Sequence, residues 1–267
     1  MATTTPTDAD TWDDGSDYDL FMGRWSRLIA AHFVSELGIQ PRQRWLDVGC
    51  GTGALLQCII DLAEPSSVAG IDPSDHFVAR ALEMADGRAD VKVGSGENLP
   101  FDDHTFDVVV SGIALNFMPD PVTTLKEWHR VAGPGATISV YVWDYAEGME
   151  FLRTFWDTAV DLDPAAADLD EGIRFPLCRP EALSAVFTEA GLSTPNLGSI
   201  EVPTTFASFD DYWAPFTRGQ GPAPGYVASL APDDRRRLFE RLRVALVPSD
   251  DGRIHLKARV WTATSVV

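Results

Sequence analysis

The residues best suited to chemistry lie in Trp45-Leu46-Asp47-Val48-Gly49-Cys50-Gly51-Thr52-Gly53-Ala54, where an apolar, strand-like run enters a glycine-rich turn and then a helical stretch. Glycines there let the backbone take positive φ and let a ligand approach without a Cβ in the way. On a doubly wound sheet such a turn falls at the carboxyl ends of the strands, where ligands bind. A second element, Val68-Ala69-Gly70-Ile71-Asp72-Pro73, ends a strand in an acid 21 residues beyond Gly51. That spacing puts a carboxylate where it accepts both hydrogens of a ribose diol. Each element has a plainer reading: a tight turn for the glycines, and for Asp72 a helix N-cap with Pro73 at the first helical position. Together they point to an adenosine-type cofactor without saying which one.

The elements that must position these residues follow from hydrophobic periodicity. Phe21, Trp25, Leu28, Ile29, His32 and Phe33 recur at spacings of three and four, predicting a first helix from about 18 to 37. Strand-length apolar runs at 44–48, 67–71, 107–111 and 137–143, with a weaker one at 91–93, alternate with helical stretches at 53–63, 75–85 and 121–132. That alternation predicts five parallel strands with helices on both faces, an α/β doubly wound fold. Helices are expected near 148–161 and 180–191, and strands at 199–205 and 254–264. Between those last strands lie about 50 residues rich in Gly, Pro and aromatics, a length that suggests a lid or an interaction surface.

Composition sets the outer limits. The chain has 267 residues, 45% of them hydrophobic, enough for a real core in one domain. With 21 basic and 40 acidic residues the formal charge is −19, a field that repels phosphate backbones and anionic membranes and argues against both as partners. The odd, scattered Cys50, Cys58 and Cys178 suggest neither a disulfide framework nor a zinc ribbon. The five histidines never fall two within four residues, so no metal site is expected. The start of the sequence lacks a basic stretch followed by an apolar one, and no run of about 18 apolar residues occurs, so a cytoplasmic location is expected. Residues 1–16 read as a disordered acidic tail and 17–267 as a single domain. Monomer and homodimer are not distinguished by the sequence.

Several ordered motifs resemble the class I S-adenosylmethionine-dependent methyltransferases (methyltransferase domain type 11), in particular the small-molecule group that includes the ubiquinone and menaquinone biosynthesis enzymes. Leu46-Asp47-Val48-Gly49-Cys50-Gly51-Thr52-Gly53 is similar to the family's first motif and Gly70-Ile71-Asp72-Pro73-Ser74 to its second. Gly94-Ser95-Gly96-Glu97-Asn98-Leu99-Pro100-Phe101 resembles the adenine-side segment, and Phe106-Asp107-Val108-Val109-Val110-Ser111 the fourth strand. Glu127-Trp128-His129-Arg130-Val131-Ala132-Gly133-Pro134-Gly135-Ala136 resembles the helix and turn before the fifth strand. The resemblance covers roughly residues 18–144. It implies a seven-stranded, mostly parallel sheet in which the last strand inserts antiparallel beside strand five, with a cofactor-binding core at 17–144. The segments 145–180 and 206–250 are then expected to form a helical cap over the substrate.

Carried over position by position, the resemblance sets Gly49 and Gly51 against the methionine and ribose of S-adenosylmethionine, with Asp47 orienting its ammonium end. Asp72 would hold the ribose hydroxyls, Pro73 would flank the adenine, Gly96 and Glu97 would border its edge, and Ser111 would lie near the methionine end. Arg24, in an N-terminal segment similar to one that covers the cofactor in related enzymes, is the candidate for the methionine carboxylate. Where many relatives carry an Asp, this chain has Ser95. Where many carry a His after the fourth strand, it reads Ala114-Leu115-Asn116-Phe117-Met118-Pro119, so the base is unassigned.

The implied reaction is direct in-line transfer of a methyl group to a small, partly apolar organic acceptor, leaving S-adenosylhomocysteine. Asn116, Asp144, Tyr18 and Tyr145 fall near the strand ends and are the candidates to orient or deprotonate it. Asn116, Phe117, Trp143, Trp213 and Phe216 are candidate acceptor contacts. Cys50 reads as a small packing residue. Two rivals stand beside this reading. Gly49-Cys50-Gly51-Thr52-Gly53-Ala54 also satisfies the Gly-x-Gly-x-x-Ala pattern of nicotinamide-dependent oxidoreductases, although Asp47 stands where those usually have an apolar residue. The other rival is a protein that binds S-adenosylmethionine without catalysis.

Overall fold

The computed structural model describes residues 23–218 and 221–267. The tail 1–16, Tyr18 and the start of the expected first helix lie outside the described residues. Seven strands form one sheet in the order β3-β2-β1-β4-β5-β7-β6. They are β1 (Arg44–Val48), β2 (Ser67–Asp72), β3 (Asp90–Val93), β4 (Phe106–Gly112), β5 (Ala132–Trp143), β6 (Asn196–Phe206) and β7 (Ile254–Val266). β1 to β5 pair in parallel. β7 runs antiparallel to both β5 and β6, the insertion beside strand five that the resemblance implied.

Strand order reverses at β1, which has β2 on one side and β4 on the other, so the crevice beyond its carboxyl end is the topological switch point. Asp47 sits in register with Gly70 on one neighbour and Val110 on the other, at the floor of that crevice. The right-handed rule for crossovers between parallel strands assigns α2 (Ala54–Leu62) and α3 (Asp75–Ala85) to one face and α4 (Pro121–Val131) to the other. Each boundary has a local cause. Gly53 enters α2 from the left-handed region at φ 95°, and Ser74 caps α3 by accepting the Phe77 N–H. Asp120 caps α4 by accepting from Val122 and Thr123, with Pro121 filling the first turn. Ser74 thus takes the capping role that the alternative reading gave to Asp72.

Helix α1 (Arg24–Glu36) packs on α2 and on β6. Beyond β5 come α5 (Glu150–Leu162), a 3-10 turn (Pro164–Leu169), α6 (Glu171–Arg174) and α7 (Pro180–Glu189). The glycine- and proline-rich stretch before β7 folds into α8 (Phe209–Arg218), α9 (Pro222–Ser229) and α10 (Pro232–Ala245). Pro222 and Pro232 open their helices, and Pro215 lies inside α8. The prolines that break up the apolar pattern therefore start two of these helices.

The expected acceptor contacts Trp213 and Phe216 are corrected here. Phe216 is buried and stacks on Phe155 of α5 with ring centroids 4.4 Å apart, and Trp213 packs against Phe216 and Phe239. The Tyr212 hydroxyl donates to the Phe151 carbonyl in the same cluster, 2.8 Å away. These aromatics have the size and face complementarity to lock α8 onto α5, and that packing uses the surface a ligand would need. Phe216→Ala is expected to cost about 3–5 kcal/mol in chemical denaturation. Its affinity for S-adenosylhomocysteine should equal that of the parent.

Candidate active site

A cavity of about 630 Å³ opens at the carboxyl ends of β1, β2, β4 and β5. Its lining includes Asp47, Gly49, Gly51, Asp72, Pro73, Gly96 and Glu97, all expected from sequence, and also Phe117, Trp143 and Tyr145. The glycine turn is shaped for close approach at two positions. At Gly49 (φ 72°) a Cβ would fall 2.4 Å from that of Ala114, whereas at Gly51 (φ 54°) it would project into open space. The turn is tied to β2, because the N–H groups of Gly49 and Cys50 both donate to the Ile71 carbonyl.

Two carboxylates differ sharply in environment. Asp72 accepts the Gly51 N–H with one oxygen and the Ser74 N–H with the other, each at 2.9 Å, so it joins the end of β2 to the glycine turn. Burial raises its pKa, and those two N–H groups oppose the rise. Each oxygen retains a further lone pair for a hydroxyl donor. Asp47 is fully buried, and neither of its oxygens has a side-chain hydrogen-bond partner among the described residues. Burial, and next the charge of Asp72, push its carboxyl up to about 8, against a smaller opposing pull from the Leu56 backbone N–H. An unpaired buried carboxylate is costly until a cation reaches it. A ligand offering a diol toward Asp72 and an ammonium toward Asp47 answers both, which is the fit that S-adenosylmethionine provides.

The far side of the cavity is formed by Gly94, Ser95, Gly96 and Glu97. The Ser95 hydroxyl accepts the Glu97 N–H at 3.2 Å, and the Glu97 carboxylate accepts the Asp120 N–H at 3.0 Å. Sequence reasoning missed Phe77, Ile113, Met118 and Tyr141, all in the lining. Tyr141 was legible in principle, since residues two apart on a strand share a face and Trp143 had been singled out. Ile113 was not: its φ of 60° is rare for a β-branched residue, and such strain concentrates at binding sites.

Other expected residues sit elsewhere. Ser111 is buried, and its neighbours Gly112, Ile113 and Ala114 line the cavity in its place. The Asn116 carboxamide is enclosed within the 3-10 turn Leu115–Phe117, outside the lining, with no partner among the described residues. Asp144 is corrected as a base candidate. Its Oδ2 accepts from Arg259 and its Oδ1 from the Glu147 N–H, so it fastens β5 to β7 instead of facing the cavity. Cys50 lines the turn, but burial pushes its thiol far above the ordinary range and leaves it inert as a nucleophile. Arg24 opens α1, and its side chain lies outside what is described. Among the described residues no group of three or more His, Cys, Asp or Glu is arranged to hold a metal ion, and no helix is long and apolar enough to cross a membrane.

Residues 46–140 match the methyltransferase domain family. Over that stretch the chain is similar to class I S-adenosylmethionine-dependent methyltransferases. It is 36% identical over 118 residues to cycloartenol-C-24-methyltransferase 1 of Oryza sativa subsp. japonica, covering 42% of this chain and 34% of that protein. It is 32% identical over 110 residues to demethylmenaquinone methyltransferase of Staphylococcus epidermidis, covering 40% and 46%. The chain thus spans less than half the length of these two curated relatives. In fold it is similar to Haemonchus contortus phosphoethanolamine N-methyltransferase 2, whose structure contains phosphomonomethylethanolamine and S-adenosylhomocysteine. That likeness has a TM-score of 0.58 at 16% identity, covering 94% of this chain and 57% of the other.

The raised Asp47 carboxyl carries a stability signature. In the unfolded chain an Asp titrates near 3.9, so the folded state loses stability as pH rises from there to about 8. Asp47→Asn removes that titration. The variant without ligand is expected to denature at higher denaturant than the parent at pH 8, with the gap closing as pH falls toward 4.

Proposed function

We propose that this methyltransferase domain transfers a methyl group from S-adenosylmethionine to a small, partly apolar organic acceptor by direct in-line displacement. The observation that carries the reading is that one cavity is lined by Asp47, which has no side-chain partner among the described residues, by Asp72, and by the aromatic side chains of Phe117, Tyr141, Trp143 and Tyr145. When bound, the cofactor supplies a methyl group on a sulfonium centre, an electrophile that needs no covalent enzyme intermediate.

The chain's own residues then hold, orient and exclude water. Asp47 receives the ammonium, Asp72 the ribose hydroxyls, the glycine turn the methionine and ribose, and Pro73, Gly96 and Glu97 the base. Phe117, Trp143 and Tyr145, with Tyr141, form an apolar surface for the acceptor. Holding a nucleophile in line with the methyl group is proximity catalysis, which supplies about 7–11 kcal/mol when the geometry is right. Of the four candidates to orient or deprotonate the acceptor, Tyr145 is the one whose described side chain lines the cavity. On this reading segments 145–180 and 206–250 are the cap, supported by the stacking of Phe216 on Phe155 and the packing of α10 on α5, and the charge of −19 favours acceptors that are not anionic.

The test is transfer of labelled methyl from S-adenosylmethionine to a panel of phenols, amines and quinols, with calorimetric titration of S-adenosylhomocysteine, NAD⁺ and NADP⁺ alongside. Tight binding of the first alone, with turnover, is expected. Asp72→Asn exchanges one acceptor oxygen for a donor and should weaken S-adenosylhomocysteine by about 10- to 100-fold. Binding of only a nicotinamide cofactor would move the domain to the oxidoreductases, and tight binding without turnover to the non-catalytic binders.

A further inference from the structure

The segment Glu127-Trp128-His129-Arg130 lies in α4, outside the cavity, and its polar atoms converge on the loop 94–101 that forms the cavity's far wall. Trp128 donates its indole N–H to the Gly96 carbonyl at 3.2 Å. Glu127 accepts the Leu99 N–H at 2.8 Å. Arg130 donates to the carbonyls of Leu99 at 3.2 Å and Phe101 at 2.9 Å while its guanidinium grips both oxygens of Glu127, at 2.6 and 2.9 Å, and one of Asp103 at 2.7 Å. From the N-terminal end of the same helix, the Asp120 N–H holds the Glu97 carboxylate. The loop's own support is slight: its hydrogen bonds run Asn98 N–H to the Ser95 carbonyl, Glu97 N–H to the Ser95 hydroxyl, Phe101 N–H to Leu99 and Gly94 N–H to Asp72.

We infer that Glu127, Trp128 and Arg130 are positioning residues that set the adenine-side wall, and through it the domain's preference for an adenine base; the inference rests on the cofactor reading above. The physical reason is register. A backbone wall discriminates the edge of a base only if its N–H and C=O groups are held to within a fraction of an ångström, and a coil segment lacking its own ladder takes that rigidity from a neighbour. Contacts at Gly96, Leu99 and Phe101 fix the loop at three points from one rigid helix. The fit allows little slack, because a Cβ at Gly96 would come 2.9 Å from Val48 Cγ1 and 3.3 Å from the Met118 thioether. The bidentate geometry of Arg130 matters here as well as its charge, since an ammonium cannot span two carbonyls and two carboxylates at once.

The experiment compares the full chain with Arg130→Gln, Arg130→Lys and Trp128→Phe, titrating S-adenosylhomocysteine and S-inosylhomocysteine calorimetrically and measuring donor KM and kcat where turnover is available. The parent should prefer the adenosyl ligand. In Arg130→Gln and Trp128→Phe the adenosyl ligand should weaken about tenfold and the inosyl ligand much less, so the preference narrows. Donor KM should rise with kcat at saturation unchanged, and Arg130→Lys should recover part of the loss. Thermal melts show that each variant is folded. Folded variants with parental affinities and preference would overturn the inference, as would an equal loss for both ligands accompanied by a fall in kcat. If the parent binds neither ligand, the cofactor reading falls and this inference falls with it.

Discussion

A buried carboxylate with no side-chain partner among the described residues shapes the functional half of this molecule. Asp47 sits on the central strand, where the chain's hydrophobic pattern alone would have placed a valine or a leucine. Its neighbours in register, Gly70 and Val110, offer it no polar side chain. Folding must therefore either neutralise the group or leave it waiting for a cation. Around it the structure is cleared for a ligand: a turn of glycines in front, a second acid at the end of the next strand, and a cavity that both acids face. The sheet's switch point supplies the space, and the acid supplies the sign of the charge that fills it.

The two acids divide the work because their surroundings differ. Asp72 is anchored by two backbone N–H groups and fixes the glycine turn even without a ligand. Asp47 has no side-chain partner among the described residues, and burial holds its carboxyl well above the usual carboxylate range. The glycine turn and Asp72 are thus held in place by the protein's own hydrogen bonds, while Asp47 lies buried beside them. Asp144 shows the contrast. It is also buried at a strand end, but Arg259 neutralises it, and it serves to join β5 to β7.

Much of the fold was legible because the chain's local signals agree with its global plan. Glycine at the turn after β1, Ser74 and Asp120 at helix starts, and β-branched runs in the central strands all point the same way. The antiparallel β7 was legible from the family resemblance together with its alternating pattern. The three helices between β6 and β7 were not, because their prolines and glycines mimic loop composition and their stability comes from aromatic packing on α5. For the same reason Trp213 and Phe216 were read as ligand contacts, since an aromatic residue in sequence does not say which side of a helix it will bury. The hold of α4 on the loop 94–101 was also hidden, because it joins side chains to backbone groups about 30 residues away.

The most direct measurement is a proton inventory: calorimetric titration of the chain with S-adenosylhomocysteine at pH 7 in buffers of different ionisation enthalpy. If Asp47 is protonated in the free protein and becomes the partner of the ligand's ammonium, binding releases close to one proton, and Asp47→Asn abolishes the release. Tight binding with no proton released, or with the same release from Asp47→Asn, would contradict the role given to Asp47.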